Sequence, residues 1–251
     1  MILAVSIGNT NVHAAIGQTE PVCQTAAYSN ELPTSEKFVC FIEEYFGEEI
    51  WGRLEGSIVS SVVPAMTPAI TQAIRDKTGS SPKRIGTDSP GGLSLSRYQD
   101  TPGEDRVVCC VGALQIHAAP LILIDFGTAP TVNVINEHNE FIGGAILAGP
   151  QIGLEVLARK TAQLPQIENI GLDAHIPVIA DSTKENLMSG AILGAAFAVE
   201  GYVHRIKAQL GQGTPVIVTG GHAPIILPYC GFERIHQPNL LLNGLFALCG
   251  K

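Results

Sequence analysis

One stretch of sequence occurs twice in this chain, and it restricts the fold more than any other feature. Residues 2–7 (ILAVSI) are short, apolar and end at Gly8, the pattern of a strand buried on both faces. After Gly8-Asn9-Thr10-Asn11 the apolar run resumes from Val12 to Ile16 as a hairpin partner. Leu121 to Ile124, the turn Asp125-Phe126-Gly127-Thr128-Ala129 and a strand from Thr131 to Ile135 repeat the pattern. An offset of 119 positions lays Ser6 on Asp125, Gly8 on Gly127, Asn9 on Thr128 and Ile16 on Ile135. A later strand and loop, Ser57-Ile58-Val59-Ser60-Ser61, is echoed by Val216-Ile217-Val218-Thr219-Gly220-Gly221. The period is far too long for a solenoid. It predicts an α/β chain of two duplicated domains, residues 1–115 and 116–251, facing each other across a cleft.

Between the repeats, the apolar spacing predicts helices over 36–46, 67–76 and 105–118, and a long helical region over 183–210 broken near Gly190. Residues 77–104 are rich in Gly, Pro, Ser and Thr and read as loop with a short strand.

Composition narrows the function classes. The 251 residues are 45% hydrophobic and 15% charged, which excludes intrinsic disorder and allows a sizeable core. A net charge of −8 argues against general nucleic-acid binding. It leaves room for a small anion held by backbone N–H groups. No stretch approaches about 20 apolar residues, so no membrane span is expected. The opening Met1-Ile2-Leu3-Ala4-Val5 lacks the basic start and long apolar run of a signal peptide. Cys23, Cys40, Cys109, Cys110, Cys230 and Cys249 form no CxxC and read as reduced apolar filler of a cytoplasmic protein. His13, His138, His204 and His222 have no second ligand at helical or hairpin spacing and read as structural.

The two turns carry the first chemical signal. Backbone N–H groups at a tight Gly turn point outward, and the missing side chain lets an anion approach. Thr10 and Thr128 add hydroxyls. Two such turns, with Thr219-Gly220-Gly221 as a third, suit the phosphates of a nucleotide.

These segments resemble the phosphate motifs of the acetate kinase, sugar kinase, Hsp70 and actin superfamily. More narrowly, the chain resembles the type III pantothenate kinase family. The landmarks run in order: IGNTN (7–11), SSVVP (60–64), Gly103-Glu104-Asp105-Arg106, DFGTA (125–129), GGAI (143–146), TAQLP (161–165), Ser182-Thr183 with MSG (188–190), and TGG (219–221). The resemblance implies two ribonuclease H-like (actin-like ATPase) domains. It implies ATP-dependent phosphorylation of pantothenate to 4′-phosphopantothenate, the first step of coenzyme A biosynthesis, by a cytoplasmic homodimer. Asp105 is then the general base, which takes the proton of a primary hydroxyl as the bond to phosphorus forms. Arg106 offers its donor fork to the substrate carboxylate. Tyr98, Gly103, Glu104 and Thr183 join it at the substrate. Ser6, Ile7, Gly8, Asn9, Thr10, Asn11, Gly127, Thr128, Gly220 and Gly221 lie along ATP with its Mg²⁺. Asp125 binds a monovalent cation, K⁺ or NH₄⁺.

The chain departs from that family pattern in places. Ser6 stands where the first phosphate motif begins with Asp. Pro130 replaces a common Thr, and Ala148-Gly149 a common Pro-Gly. The link from Tyr98 to the Asp-Arg pair is about two residues short. Ser6 raises an alternative, a weakened or inactive relative that binds nucleotide or pantothenate as a regulatory factor. The short Tyr98 link raises another, a kinase of a different small hydroxylated acid.

Overall fold

The computed structural model describes residues 1–85, 90–168, 170–171 and 175–249. In chain order the elements are β1 (Ile2–Ile7), β2 (Asn11–Gly17), β3 (Pro21–Tyr28), α1 (Ser35–Phe46), α2 (Ile50–Arg53), β4 (Gly56–Ser61), α3 (Thr67–Thr78), β5 (Lys83–Arg84) and α4 (Glu104–Leu114). There follow β6 (Leu121–Asp125), β7 (Thr131–Ile135), β8 (Phe141–Ile146), α5 (Pro150–Lys160), α6 (Thr183–Leu210), β9 (Val216–Thr219), α7 (Ala223–Ile226), β10 (Ile235–His236) and α8 (Leu240–Cys249).

The chain divides into two compact units. The first holds a five-stranded sheet in the order β3-β2-β1-β4-β5, and the second holds one in the order β10-β9-β6-β7-β8. Read from the other edge, the second order reproduces the first. In both, the leading strand pairs antiparallel with its hairpin partner and parallel with a later strand, β4 or β9. The sequence repeat is therefore a repeat of topology, and the α/β duplication expected from it is present.

In the first unit, Leu3, Val5, Ile7, Val12, Ala14 and Val59 pack one sheet face against Phe38, Phe41 and Ile42 of α1 and Ile70, Ala73 and Ile74 of α3. Helices α4 and α8 contact each other and the sheet strands. In the second unit, Ile122, Ile124, Phe126, Val132, Val216 and Val218 pack against Ile192, Leu193, Ala196, Val199 and Val203 of α6. Helix starts follow local rules: Thr34 accepts the Lys37 N–H to cap α1, and Ser182 accepts the Glu185 N–H to cap α6.

Four expectations change. Helix α6 runs unbroken through Gly190, with Met188 before it and Ile192 and Leu193 after it packed on the same core. At 28 residues with a most apolar window of mean hydropathy 1.2, α6 is long and apolar enough to cross a membrane, contrary to the expectation that no stretch approaches that length. A third of that window is buried within the protein. The residues from Asn239 on, expected in the second domain, belong to the first unit, since α8 packs on α4, β1 and β4. Cys23 and Cys40 are exposed, on edge strand β3 and on α1, so only Cys109, Cys110 and Cys230 are buried filler. None of the six cysteines is in a disulfide.

Candidate active site

In the first unit, the expected residues gather at the C-terminal end of β1. The hairpin closes through the Gly8 N–H donating to the Asn11 carbonyl at 2.9 Å. With that donor used, the exposed tip Asn9-Thr10 is what the turn offers to an anion. Ser29 braces the turn from behind: its hydroxyl donates to the Gly8 carbonyl at 2.6 Å and its N–H to the Thr10 carbonyl at 2.8 Å. The Val62 N–H donates to the Ile7 carbonyl at 3.0 Å, tying the end of β4 to the same turn. Tyr98 and Gly103 lie within this unit as well.

Helix α4 begins at that tie. The Glu104 carboxylate accepts the Ser61 N–H at 2.7 Å and pairs with Arg84 at 2.8 Å. Both its oxygens are engaged in bracing α4 against β4 and β5. Asp105 follows, partly buried, with Oδ1 accepting the Arg106 N–H at 2.8 Å. Burial pushes the Asp105 pKa up, and the Arg106 N–H and charge oppose it only in part. A carboxyl raised in this way is a better proton acceptor than a solvated one. Arg106 is 8% exposed and lies against two aromatic rings, Tyr98 and Phe141.

Ser6 and Asp125 occupy equivalent places. Ser6 pairs in register with His13 on β2 and Ser60 on β4, and Asp125 pairs with Thr131 on β7 and Thr219 on β9. Ser6 is 3% exposed, with its hydroxyl 3.5 Å from that of Ser60. Burial lowers the His13 pKa, so a neutral imidazole stands on the neighbouring strand. The first turn therefore has no anionic ligand for Mg²⁺ at this place.

The second unit carries the other turn. Phe126 N–H donates to the Thr219 carbonyl and His222 N–H to the Phe126 carbonyl, both at 2.9 Å. His222 Nδ1 lies 3.1 Å from the Gly127 carbonyl, which fixes Nδ1 as the protonated nitrogen because a carbonyl only accepts. Gly220 has φ +101°, and a Cβ there would lie 2.4 Å from the Phe126 carbonyl carbon and 2.5 Å from Asp125 Oδ1. Only glycine allows this close approach of the Gly220 backbone to Phe126 and the Asp125 carboxylate. The Asp125 carboxylate at the end of β6 is a hard oxygen donor of the kind that would hold a cation. Among the described residues, no group of three or more His, Cys, Asp or Glu is placed to hold a metal by itself. Thr128 and Gly221 are exposed beside this turn, and Thr183 is exposed in the first turn of α6, next to the capping residue Ser182.

The model of the type III pantothenate kinase family matches residues 2–205. The chain belongs to that family. It is 33% identical to the type III pantothenate kinase of Roseiflexus sp. over 98% of this chain and 96% of the relative. Among solved structures it resembles a protein described as a Baf family transcriptional activator from Campylobacter jejuni, with a TM-score of 0.63 and 14% identity over 99% of this chain and 97% of that one. It also resembles the activator of 2-hydroxyisocaproyl-CoA dehydratase from Clostridium difficile, whose structure contains ADPNP. That likeness has a TM-score of 0.55 and 14% identity over 98% of this chain and 92% of that one. At such identities the structures establish a shared fold, that of the sugar kinases and actin-like ATPases. Family and fold together make the chain an ATP-using kinase.

Four residues at the site carried no local signal: Ser29, Arg84, Phe141 and His222. Each acts through a partner distant in sequence, such as Gly8, Glu104, Arg106 or Gly127. A single sequence records no such pairing.

Proposed function

We propose that the chain transfers the γ-phosphoryl group of ATP to the primary hydroxyl of pantothenate, forming 4′-phosphopantothenate. The observation that carries this is the Asp105 carboxylate, raised in pKa at the start of α4, on a helix braced to the strand end that also holds the Gly8 turn. Asp105 takes the hydroxyl proton as the oxygen attacks phosphorus. Arg106 receives the substrate carboxylate. Tyr98, Gly103 and Thr183 complete the substrate contacts, and Glu104 holds α4 in place. Each Gly turn offers backbone N–H groups to phosphate oxygens, with Gly127 and Thr128 in the second unit and Gly220-Gly221 beside it.

ATP enters as its Mg²⁺ complex. A K⁺ or NH₄⁺ ion, held by Asp125, supplies charge neutralisation next to the phosphates. The names of the relatives support pantothenate as the acceptor. The active form is a cytoplasmic homodimer, a reading supported by the exposed Phe197 and Tyr202 on α6.

The test incubates purified protein with ATP, Mg²⁺, K⁺ and pantothenate and measures 4′-phosphopantothenate by mass spectrometry. Product in proportion to enzyme is expected. Product from another hydroxy acid alone would replace pantothenate as the acceptor. Silence with every acceptor, together with retained nucleotide binding, would favour the regulatory alternative raised by Ser6.

Two predictions follow from the turns. Ser6→Asp restores an acidic group at the first turn and is expected to raise kcat/KM for MgATP about 10-fold, a change of about 1.4 kcal/mol in the barrier. A fall would mean that the Ser6 position does not serve the metal–nucleotide complex. Replacing K⁺ by Li⁺ is expected to lower kcat by about 10-fold in the wild type, and Asp125→Asn is expected to erase the difference between the two ions. Steady-state rates in each salt at fixed ionic strength check this.

A further inference from the structure

The Arg106 side chain lies against aromatic surface. Its guanidinium carbon lies 5.1 Å from the Phe141 ring centroid and 5.9 Å from that of Tyr98. The two rings meet edge to face, 5.0 Å apart at 67°. Phe141 is fully buried. It reaches this position because residues 139–141 run beside Ser94. The Ser94 N–H donates to the Asn139 carbonyl at 2.8 Å, and the Phe141 N–H to the Ser94 carbonyl at 2.9 Å. The same bridge anchors the loop that carries Tyr98, whose N–H donates to the Leu95 carbonyl at 3.1 Å. One short backbone ladder therefore sets both rings.

A guanidinium meets an aromatic ring through its π surface, whereas it meets a carboxylate through its in-plane N–H fork. A ring can thus orient the fork without taking the place of an anion. An arginine side chain gives up much rotamer freedom when it is held, and a group held beforehand binds its ligand without that cost.

We propose that Phe141 is a positioning residue for substrate recognition: with Tyr98 it orients the Arg106 guanidinium toward the carboxylate of the acid substrate. The proposal rests on the reading of Arg106 as the carboxylate partner. It makes Phe141 a determinant of the preference for an acid over an uncharged analogue of the same shape.

The test compares kcat/KM for pantothenate with that for pantothenyl alcohol, in which a hydroxymethyl group replaces the carboxylate. Phe141→Leu is expected to lower the acid-to-alcohol ratio about 10-fold, mainly through KM for the acid, with turnover of the alcohol unchanged. If Phe141→Leu does not yield folded protein, Phe141→Met fills the site with a flexible side chain and the same ratio is read. Arg106→Met is the reference and is expected to lower the ratio at least as far. If Arg106→Met lowers the ratio but the Phe141 variants lower both substrates equally, or neither, Phe141 is only a packing residue and the proposal is overturned. If Arg106→Met leaves the ratio unchanged, the carboxylate reading of Arg106 fails, and the proposal with it.

Discussion

Asp105→Asn is expected to lower kcat about 10²- to 10⁴-fold, the range for loss of a general base. ATP binding should persist, because the Gly turns are untouched. The variant should not be less stable. Burial raises the Asp105 pKa above its ordinary 3.8, so the folded state holds this proton more tightly than the unfolded state does. Wild-type stability from this group therefore falls as pH rises through the window between 3.8 and the raised folded value, and stays lowered above it. Asn resembles the protonated acid and escapes that loss. At pH 7.5 the variant is expected to melt at or above the wild-type temperature, and the gap should close as the pH approaches 4. The rate follows the opposite ionisation. Wild-type kcat should fall as the pH drops through a value above the usual carboxylate range, and the variant's residual rate should lack that limb. A variant with near wild-type kcat would remove Asp105 from the chemistry. A large drop in melting temperature would mean that its carboxylate is structural.

Gly244→Ala is expected to have a large effect on stability. Gly244 lies on α8, and a Cβ there would stand 2.1 Å from the Val108 carbonyl oxygen on α4. From the other side, a Cβ at Gly112 on α4 would stand 2.5 Å from the Leu240 carbonyl oxygen. The two helix backbones are in contact, so neither can yield without moving the other. Overpacking of this kind costs about 3 kcal/mol, which lowers Tm by on the order of 5–10 °C in a chain of this size. Because α4 carries Asp105 and Arg106, the shift should also reach the chemistry, where a displacement of about 1 Å can cost roughly 100-fold in rate. Differential scanning calorimetry and kcat on the surviving folded fraction measure the two effects separately. A Tm within about 1 °C of wild type would show that the helices can part without cost.

Much of the fold was legible along the chain. The strands β1, β2, β4, β6, β7 and β9 are apolar runs closed by Gly, Pro or a polar turn, so their character is written in a few adjacent residues. The repeat of Gly8 and Gly127 announced the duplicated topology, because equivalent turns must leave equivalent strands. Other elements lacked such marks. Strand β3 is a mostly exposed edge strand, with Val22 82% exposed, and it has no buried alternation to reveal it. Helix α8 is apolar in nearly every position, which says that it is buried but not against what.

The candidate site divides in the same way. The Gly8 and Gly220 turns were visible in residue type and immediate neighbours, whereas Asp105 and Asp125 were singled out through the family resemblance. Local sequence was also enough to place Asp105 and Arg106 at the start of a helix. Tertiary structure alone decided that Glu104 reaches Ser61 and Arg84, that Phe141 meets the Arg106 guanidinium, and that the chain's last helix returns to brace α4. The physical reason is one of range. Periodicity, capping and turn chemistry act over a few bonds and leave a trace in adjacent letters. Burial of a charge against a distant ring, or contact of two helix backbones, is set by the packing of the whole unit and leaves no trace in any single stretch.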